Sequence, residues 1–186
     1  MNTACSNDFY DDVKHKESKM IIIWNSKKCV GCRVCEAVCS LYHEGVSNPM
    51  MATCKIIRTI ENAILHKIRV SCMQCEEAKC MSVCPTGAIS ENSKKIKIVN
   101  EDKCIGCRMC EIACPVGAIH VHPDKMVSMK CDLCNGLDEP QCVKYCYSEA
   151  LQYIPAEGAG MIFARAKSEK FLEMQQKEVG VCHTGE

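Results

Sequence analysis

Residues 104–115 read Cys-Ile-Gly-Cys-Arg-Met-Cys-Glu-Ile-Ala-Cys-Pro and constrain the fold more than any other stretch of the chain. Cys104, Cys107 and Cys110 stand three apart, so one tight loop aims three sulfurs at a single point. Cys114 follows four residues later and is stopped by Pro115. Gly106 supplies a backbone without Cβ, which bends tightly and passes close to the sulfurs.

Three more groups of four cysteines accompany this one. Motif one, Cys29, Cys32, Cys35 and Cys39, repeats the spacing, with Gly31 in the place of Gly106 and Ser40 in the place of the proline. Motif two is Cys72, Cys75, Cys80 and Cys84, with two extra residues between its second and third cysteines. The run from Cys104 is motif three. Motif four, Cys131, Cys134, Cys142 and Cys146, has the widest gap, with Gly136 and Pro140 marking a loop. Motif two ends Cys84-Pro85-Thr86-Gly87-Ala88-Ile89 and motif three ends Cys114-Pro115-Val116-Gly117-Ala118-Ile119. This internal repeat of about 30 residues pairs motif two with motif three. Motif four closes on Tyr147-Ser148-Glu149-Ala150-Leu151 and lacks proline, as motif one does, which makes those two natural mates.

The 19 cysteines in 186 residues are about 10% of the chain, a level that suggests disulfide scaffolds in short secreted proteins. The count is odd, and cysteines three apart have few unstrained ways to bridge, so the spacing speaks against a disulfide framework. The 23 basic and 23 acidic residues cancel, which gives no electrostatic case for nucleic acid or an anionic membrane. Met20 to Trp24 is an apolar run too short for a signal peptide, and no stretch has the length of a membrane span. Without its cysteines the chain is about 37% apolar, thin for conventional cores. Inorganic clusters would fill that deficit, and the metal-free chain is expected to be largely unfolded.

Residues 1–19 mix charges without apolar periodicity and read as a mobile extension. Met20 to Trp24 reads as a strand. Lys55 to Ile60 and Ala63 to Val70 read as a hairpin around Glu61 and Asn62, inserted between motifs one and two. Lys95 to Val99 and Ala118 to Val121 are expected to flank motif three as strands. Residues 160–178 read as a helix with Phe163, Ala166, Phe171 and Met174 on one arc and Leu172 opposite. Cys5, Cys54 and Cys182 stand outside the motifs, and Cys54 reads as a buried free thiol. His43 and His66 read as solvated or structural, and Arg33 and Arg108, inside motifs, as solvated charges able to raise a local potential.

Sixteen cysteines in four groups could hold four zinc ions through paired CxxC elements. Zinc needs only two pairs. A third cysteine three residues on, then a fourth before proline, is the run that holds cubane 4Fe-4S clusters in bacterial ferredoxins, where the fourth cysteine ligates the neighbouring cluster.

These motifs resemble the four-cluster ferredoxin-like electron-transfer subunits of oxidoreductase complexes, which serve molybdenum and tungsten oxidoreductases, hydrogenases and carbon monoxide dehydrogenase. The likeness runs from Met20 to about Pro155. Ser40-Leu41-Tyr42-His43-Glu44-Gly45 with Asn48-Pro49 is similar to the small subunits of tungsten aldehyde oxidoreductases and the carbon monoxide dehydrogenase partner, or is a plain turn into the hairpin. The resemblance implies four 4Fe-4S clusters with exchanged ligands. Cys72, Cys75 and Cys80 would share one with Cys114, and Cys104, Cys107 and Cys110 one with Cys84. Cys29, Cys32 and Cys35 would join Cys146, and Cys131, Cys134 and Cys142 would join Cys39.

The implied fold is α+β, with two ferredoxin-like lobes, one inserted in the other. Residues 20–71 and 122–158 would form the first, 72–121 the second, and 159–186 a C-terminal helix and tail. The implied function is a non-catalytic subunit relaying single electrons between a large catalytic subunit, of aldehyde, formate, carbon monoxide or hydrogen type, and a further electron carrier or enzyme. A free polyferredoxin and a zinc-stabilised interaction module are the alternatives. No catalytic nucleophile or acid-base pair stands out. A cytoplasmic, anaerobic setting is expected, with export beside a signal-bearing partner left open, and the C-terminal helix is a candidate for self-assembly.

Overall fold

The computed structural model describes residues 18–161, 164 and 168. Residues 1–17 of the N-terminal extension, and the helix expected over 160–178 apart from residues 160, 161, 164 and 168, lie outside the described residues. The chain is a mixture of short strands and helices, as the α+β expectation requires. In order these are β1 Met20–Trp24, α1 Val34–Glu44, β2 Cys54–Glu61, β3 Ile64–Ser71, α2 Lys79–Ser82, β4 Ile89–Glu91 and β5 Lys97–Val99. There follow α3 Met109–Ala113, β6 Ile119–Val121, β7 Ser128–Lys130, α4 Gln141–Lys144 and β8 Leu151–Pro155. Residues 156–161 are helical.

The strands form four antiparallel pairs, β1–β8, β2–β3, β4–β5 and β6–β7. Pairing of Met20 with Pro155 through Trp24 with Leu151 brings the two ends of the motif region together. Motifs two and three are thereby enclosed between motifs one and four. Helix α1 packs on α4 and α2 on α3, so the mates read from the proline pattern are neighbours in space. The β6–β7 hairpin straddles residues 121 and 122, where the sequence reading joins its two lobes.

Proline accounts for the early end of α3 but not for that of α4, which stops at Lys144 with no proline after Cys146. The ring of Pro115 disfavours the helical conformation at the preceding residue, and Cys114 is extended at φ −76° and ψ 114°, directly after α3. Motif one has Ser40 instead, and α1 runs on to Glu44. Ser40 Oγ donates to Ala37 O at 3.0 Å and accepts from Asn48 N at 3.0 Å, which ties the helix to the loop leading into β2. The hairpin turn sits one residue beyond its expected position. Glu61 stays in the ladder opposite Ile64, and Asn62 and Ala63 take φ of 50° and 61°, the positive pair of a two-residue type I′ turn.

No continuous hydrocarbon core forms among the described residues. Cys39, Ala52 and Cys54 make one buried cluster with Cys35 against it. Ile89, Cys110 and Ile119 make a second, joined by Cys80, Cys84 and Cys114. Ile96, Cys131 and Leu133 make a third, joined by Cys72 and Tyr153. Motif cysteines belong to every one of these clusters. Cys54 is buried as a free thiol, as expected.

Polar ties cross between the segments. His43 faces Asp132 at 3.4 Å, and Glu44 lies 2.8 Å from Lys125 Nζ and 3.4 Å from His122 Nε2. Gln74 is the deepest of these ties, with 2% of its surface exposed. Its Nε2 donates to Cys131 O at 2.7 Å and its Oε1 accepts from Lys97 N at 2.8 Å. Gln74→Leu strands both buried backbone groups, so it is expected to cost about 3 kcal/mol, a fall of roughly 10 °C in Tm by thermal scan. A Tm within two degrees or so of wild type would refute this role.

Candidate metal centre

The four CxxC loops share one backbone device. The residue before the second cysteine has positive φ in every motif: Gly31 at 71°, Gln74 at 50°, Gly106 at 64° and Leu133 at 59°. Two of the four are glycine; Gln74 and Leu133 hold the left-handed conformation against their Cβ, a strain that surrounding packing must sustain. A second device follows the fourth cysteine. Gly87, Gly117 and Glu149 take φ of 61°, 62° and 50° and donate their N–H to Cys84 O, Cys114 O and Cys146 O at 3.3, 3.3 and 2.9 Å. Motif four thus makes the turn of motifs two and three without their proline or glycine. Arg33 and Arg108 are also left-handed, and each sits near the glutamate three residues on, Arg33 at 2.6 Å from Glu36 and Arg108 at 3.9 Å from Glu111. Glu36 is wholly buried and also accepts from Ile56 N at 2.6 Å, so Arg33, solvent-exposed as expected, also caps a buried structural carboxylate.

These loops turn donors toward sulfur. Thr53 N donates to Cys39 Sγ at 3.4 Å, Gln74 N to Cys72 Sγ at 3.5 Å, Ala118 N to Cys114 Sγ at 3.3 Å and Ser128 N to Cys104 Sγ at 3.3 Å. Hydroxyls add to them, with Thr53 Oγ1 3.2 Å from Cys39 Sγ and Ser128 Oγ 3.1 Å from Cys110 Sγ. Gln74 and Ala118 come from the motifs themselves, whereas Thr53 and Ser128 approach from 14 and 24 residues along the chain and are not apparent from them.

Two cavities gather the cysteines in the exchanged sets. Cys72, Cys75 and Cys80 line one together with Cys114. Cys29, Cys32 and Cys35 line the other together with Cys146. We refer to these as the Cys72 set and the Cys29 set. In the third, the Cys131 set, Cys39 stands within electrostatic reach of Cys131, Cys134 and Cys142. In the fourth, the Cys104 set, Ser128 joins Cys104 to Cys110, and Cys84 lies close enough to Cys104 to act on its charge. Cys32, Cys75 and Cys107 are exposed, whereas Cys134, their counterpart in motif four, is buried.

All seventeen described cysteines are free thiols. Burial pushes the Cys134 thiol up to about 12 and the Cys142 thiol up to about 11. A sulfur that deep ionises only against a compensating cation, as a metal provides. Arg69 is flanked by the same sulfurs; burial pulls its guanidinium down, but Cys54, Cys142, Cys131 and Cys35 outweigh that and raise it. Among the described residues no three His, Cys, Asp or Glu side chains converge on the space of one metal ion. Tetrahedral zinc, with Zn–S of about 2.3 Å, draws its sulfurs closely together, whereas a cubane holds them wider apart. All-thiol sets with backbone N–H groups on their sulfurs fit iron-sulfur clusters.

Hydrogen bonds to the sulfurs set the potential of such a centre. Ser128→Ala removes the hydroxyl shared by Cys104 and Cys110, and is expected to lower the potential associated with that set, read by an EPR-monitored redox titration. An unshifted potential would contradict it.

The 4Fe-4S dicluster domain matches residues 65–155, which takes in motifs two, three and four. The polyferredoxin-like subunit of the aliphatic sulfonate oxidoreductase of Pyrococcus furiosus is 32% identical over 170 residues, 88% of this chain and 95% of that one. The thiosulfate reductase electron transfer subunit PhsB of Salmonella typhi is 32% identical, over 76% of this chain and 78% of that one. The electron transport protein HydN of Escherichia coli is 35% identical, over 70% of this chain and 85% of that one. With its cysteine sets, their sulfur-directed donors and these relatives, the chain belongs to the 4Fe-4S electron-transfer subunits of oxidoreductase complexes.

Proposed function

We propose that this chain is a non-catalytic wire carrying four 4Fe-4S clusters, which relays single electrons between a catalytic oxidoreductase subunit and a second redox partner in the cytoplasm. When bound, the clusters supply one-electron storage over a range that spans roughly −700 to +450 mV across such centres. All sixteen motif cysteines would hold them, in the four sets described. The lobe of motifs two and three would extend through β7, and the lobe of motifs one and four would be closed by the β1–β8 pair.

The observation that carries this reading is the packing of one set on the next. Cys35 of the Cys29 set and Cys39 of the Cys131 set both pack on Cys54. Cys72 packs in the same cluster as Cys131. Cys80 and Cys114 share a cluster with Cys84 and Cys110. The order is therefore Cys29 set, Cys131 set, Cys72 set, Cys104 set, with the outer sets opening to the surface at Cys32 and Cys107 and the inner Cys72 set at Cys75. Exposed apolar residues rim both ends, Tyr147 beside Cys146 and Ile105 and Ile112 beside Cys107, and suit short-lived docking of redox partners.

Metal analysis of anaerobically isolated protein tests the reading. About 16 iron atoms with matching sulfide, and a large subunit that co-purifies, are expected. Stoichiometric zinc with little iron would refute the cluster assignment, and full iron without any partner would favour a free polyferredoxin.

A further inference from the structure

Two cations are buried at the junctions between cysteine sets. Arg69, on β3, lines the cavity of the Cys29 set and directs Nη2 at Cys142 Sγ of the Cys131 set, 3.9 Å away. Its Nη1 donates to Ser71 Oγ at 2.6 Å, and its Nε is shielded from solvent with no hydrogen-bond partner. Its contacts are a hydroxyl and sulfur, so among the described residues no carboxylate cancels its charge. Lys130, on β7, is 6% exposed and lines the cavity of the Cys72 set. Its Nζ donates to Lys97 O and, at 2.9 Å, to Cys131 O in the backbone of the neighbouring set. Lys97 lines the same cavity, but its ammonium is paired with Glu91.

The last junction is built differently. Between the Cys72 set and the Cys104 set lie Ile89 and Ile119, with Met81 and Val99 against them, and the side chains hydrogen-bonded to Cys84, Cys104 and Cys110 are the hydroxyls of Thr86 and Ser128.

Adding an electron to a cubane makes it more negative, and a fixed positive charge in a poorly screened interior favours that change. We propose that Arg69 and Lys130 are tuning residues whose buried charges raise the reduction potentials at the Cys29, Cys131 and Cys72 sets above that at the Cys104 set. The Cys104 end is then the low-potential terminus, and an electron placed there runs inward. This rests on the four-cluster reading above. It adds which junctions carry the charge and which end of the wire is the stronger reductant.

The test is a potentiometric titration of the whole chain followed by EPR, with signals assigned beforehand through Cys32→Ser, Cys75→Ser, Cys107→Ser and Cys134→Ser. Iron is counted in each variant. At a fixed ambient potential, Arg69→Met is expected to lower the reduced-to-oxidised ratio at the Cys29 and Cys131 sets by at least about tenfold, equivalent to about 59 mV for one electron. Lys130→Met does the same at the Cys72 and Cys131 sets. Neither moves the Cys104 set, and Arg69→Lys, which keeps the charge, returns the ratios toward wild type.

Wild-type ratios in a methionine variant with full iron would overturn the tuning role of that cation, and an equal shift at the Cys104 set would overturn the assignment of junctions. If both methionine variants lose iron, the cations are structural and the proposal fails; if one does, the other decides it. Wild-type protein without four clusters would instead defeat the wire reading itself, and its iron count separates the two failures.

Discussion

Protein stripped of iron and sulfide by an acidic chelating treatment, then returned to neutral pH, loses most of its far-UV circular dichroism, and anaerobic reconstitution with iron and sulfide restores it. The reason lies in what fills the interior. Its sheets are isolated pairs of strands, a form that is marginal in water without further packing. The buried clusters that should supply that packing are assembled on cysteines: Cys39 and Cys54 in one, Cys110 with Cys80, Cys84 and Cys114 in another, Cys131 with Cys72 in the third. Removal of the inorganic cores leaves the thiols that line the Cys29 and Cys72 sets without the atoms that would join them. Because the sets are gathered only in the folded chain, binding free energy is folding free energy. A metal-free protein that kept its native spectrum and a cooperative melt would show that the polypeptide supplies its own core.

Gly106→Ala is expected to be the most damaging of the glycine substitutions. At φ +64° an alanine is strained, and its Cβ would lie 2.3 Å from Met126 O and 3.4 Å from Met126 C. Those are backbone atoms of the β6–β7 turn and cannot swing aside as a side-chain tip does. The turn must move, and with it Ser128, whose N–H and hydroxyl contact Cys104 and Cys110. We expect a loss above about 4 kcal/mol, in the range seen only for severe substitutions, together with loss of the iron held by the Cys104 set. Gly31→Ala at the equivalent place in motif one meets only the flexible stems of Lys67 and Arg58, at 3.3 and 3.5 Å. It is expected to cost about 1 kcal/mol, from backbone strain alone. Iron analysis and thermal melts of the two variants side by side decide the matter, and a Gly106→Ala protein with wild-type iron and Tm would remove the close approach from the argument.

The cysteine motifs and their mates were legible in the sequence because both depend on local features. Three sulfurs at intervals of three residues meet wherever the loop between them turns tightly, and proline after a fourth cysteine disfavours the helical conformation at that cysteine. The strand at Met20–Trp24, the inserted hairpin and the repeated ending of motifs two and three are local in the same sense. The hairpin turn was displaced by one residue because Glu61 gained a cross-strand partner, which propensity alone does not register.

The left-handed residues of motifs two and four are harder to see. Glycine announces the bend at Gly31 and Gly106, but Gln74 and Leu133 make it with ordinary side chains, and Glu149 does so after motif four. Gln74 is held by Cys131 and Lys97, both far from it in the chain, so nothing near residue 74 reveals why the strain is tolerated. Ser128, Thr53, Arg69 and Lys130 share this character, since each gains its meaning from the sulfur or carbonyl it meets across the fold.

The sequence by itself determined what the chain can hold: four groups of cysteines whose reach is set by covalent spacing, in a protein whose hydrocarbon content is thin for a conventional core. Only the tertiary structure decided how those groups are strung together, with Cys54 between the first two sets, Gln74 and Lys130 at the middle junction and an apolar wall at the last. The division has a physical cause. Spacing along the chain limits which sulfurs one loop can bring to a point, whereas the order of the sets, and the charge lying between them, arise from contacts between segments tens of residues apart that exist only once β1 has closed on β8.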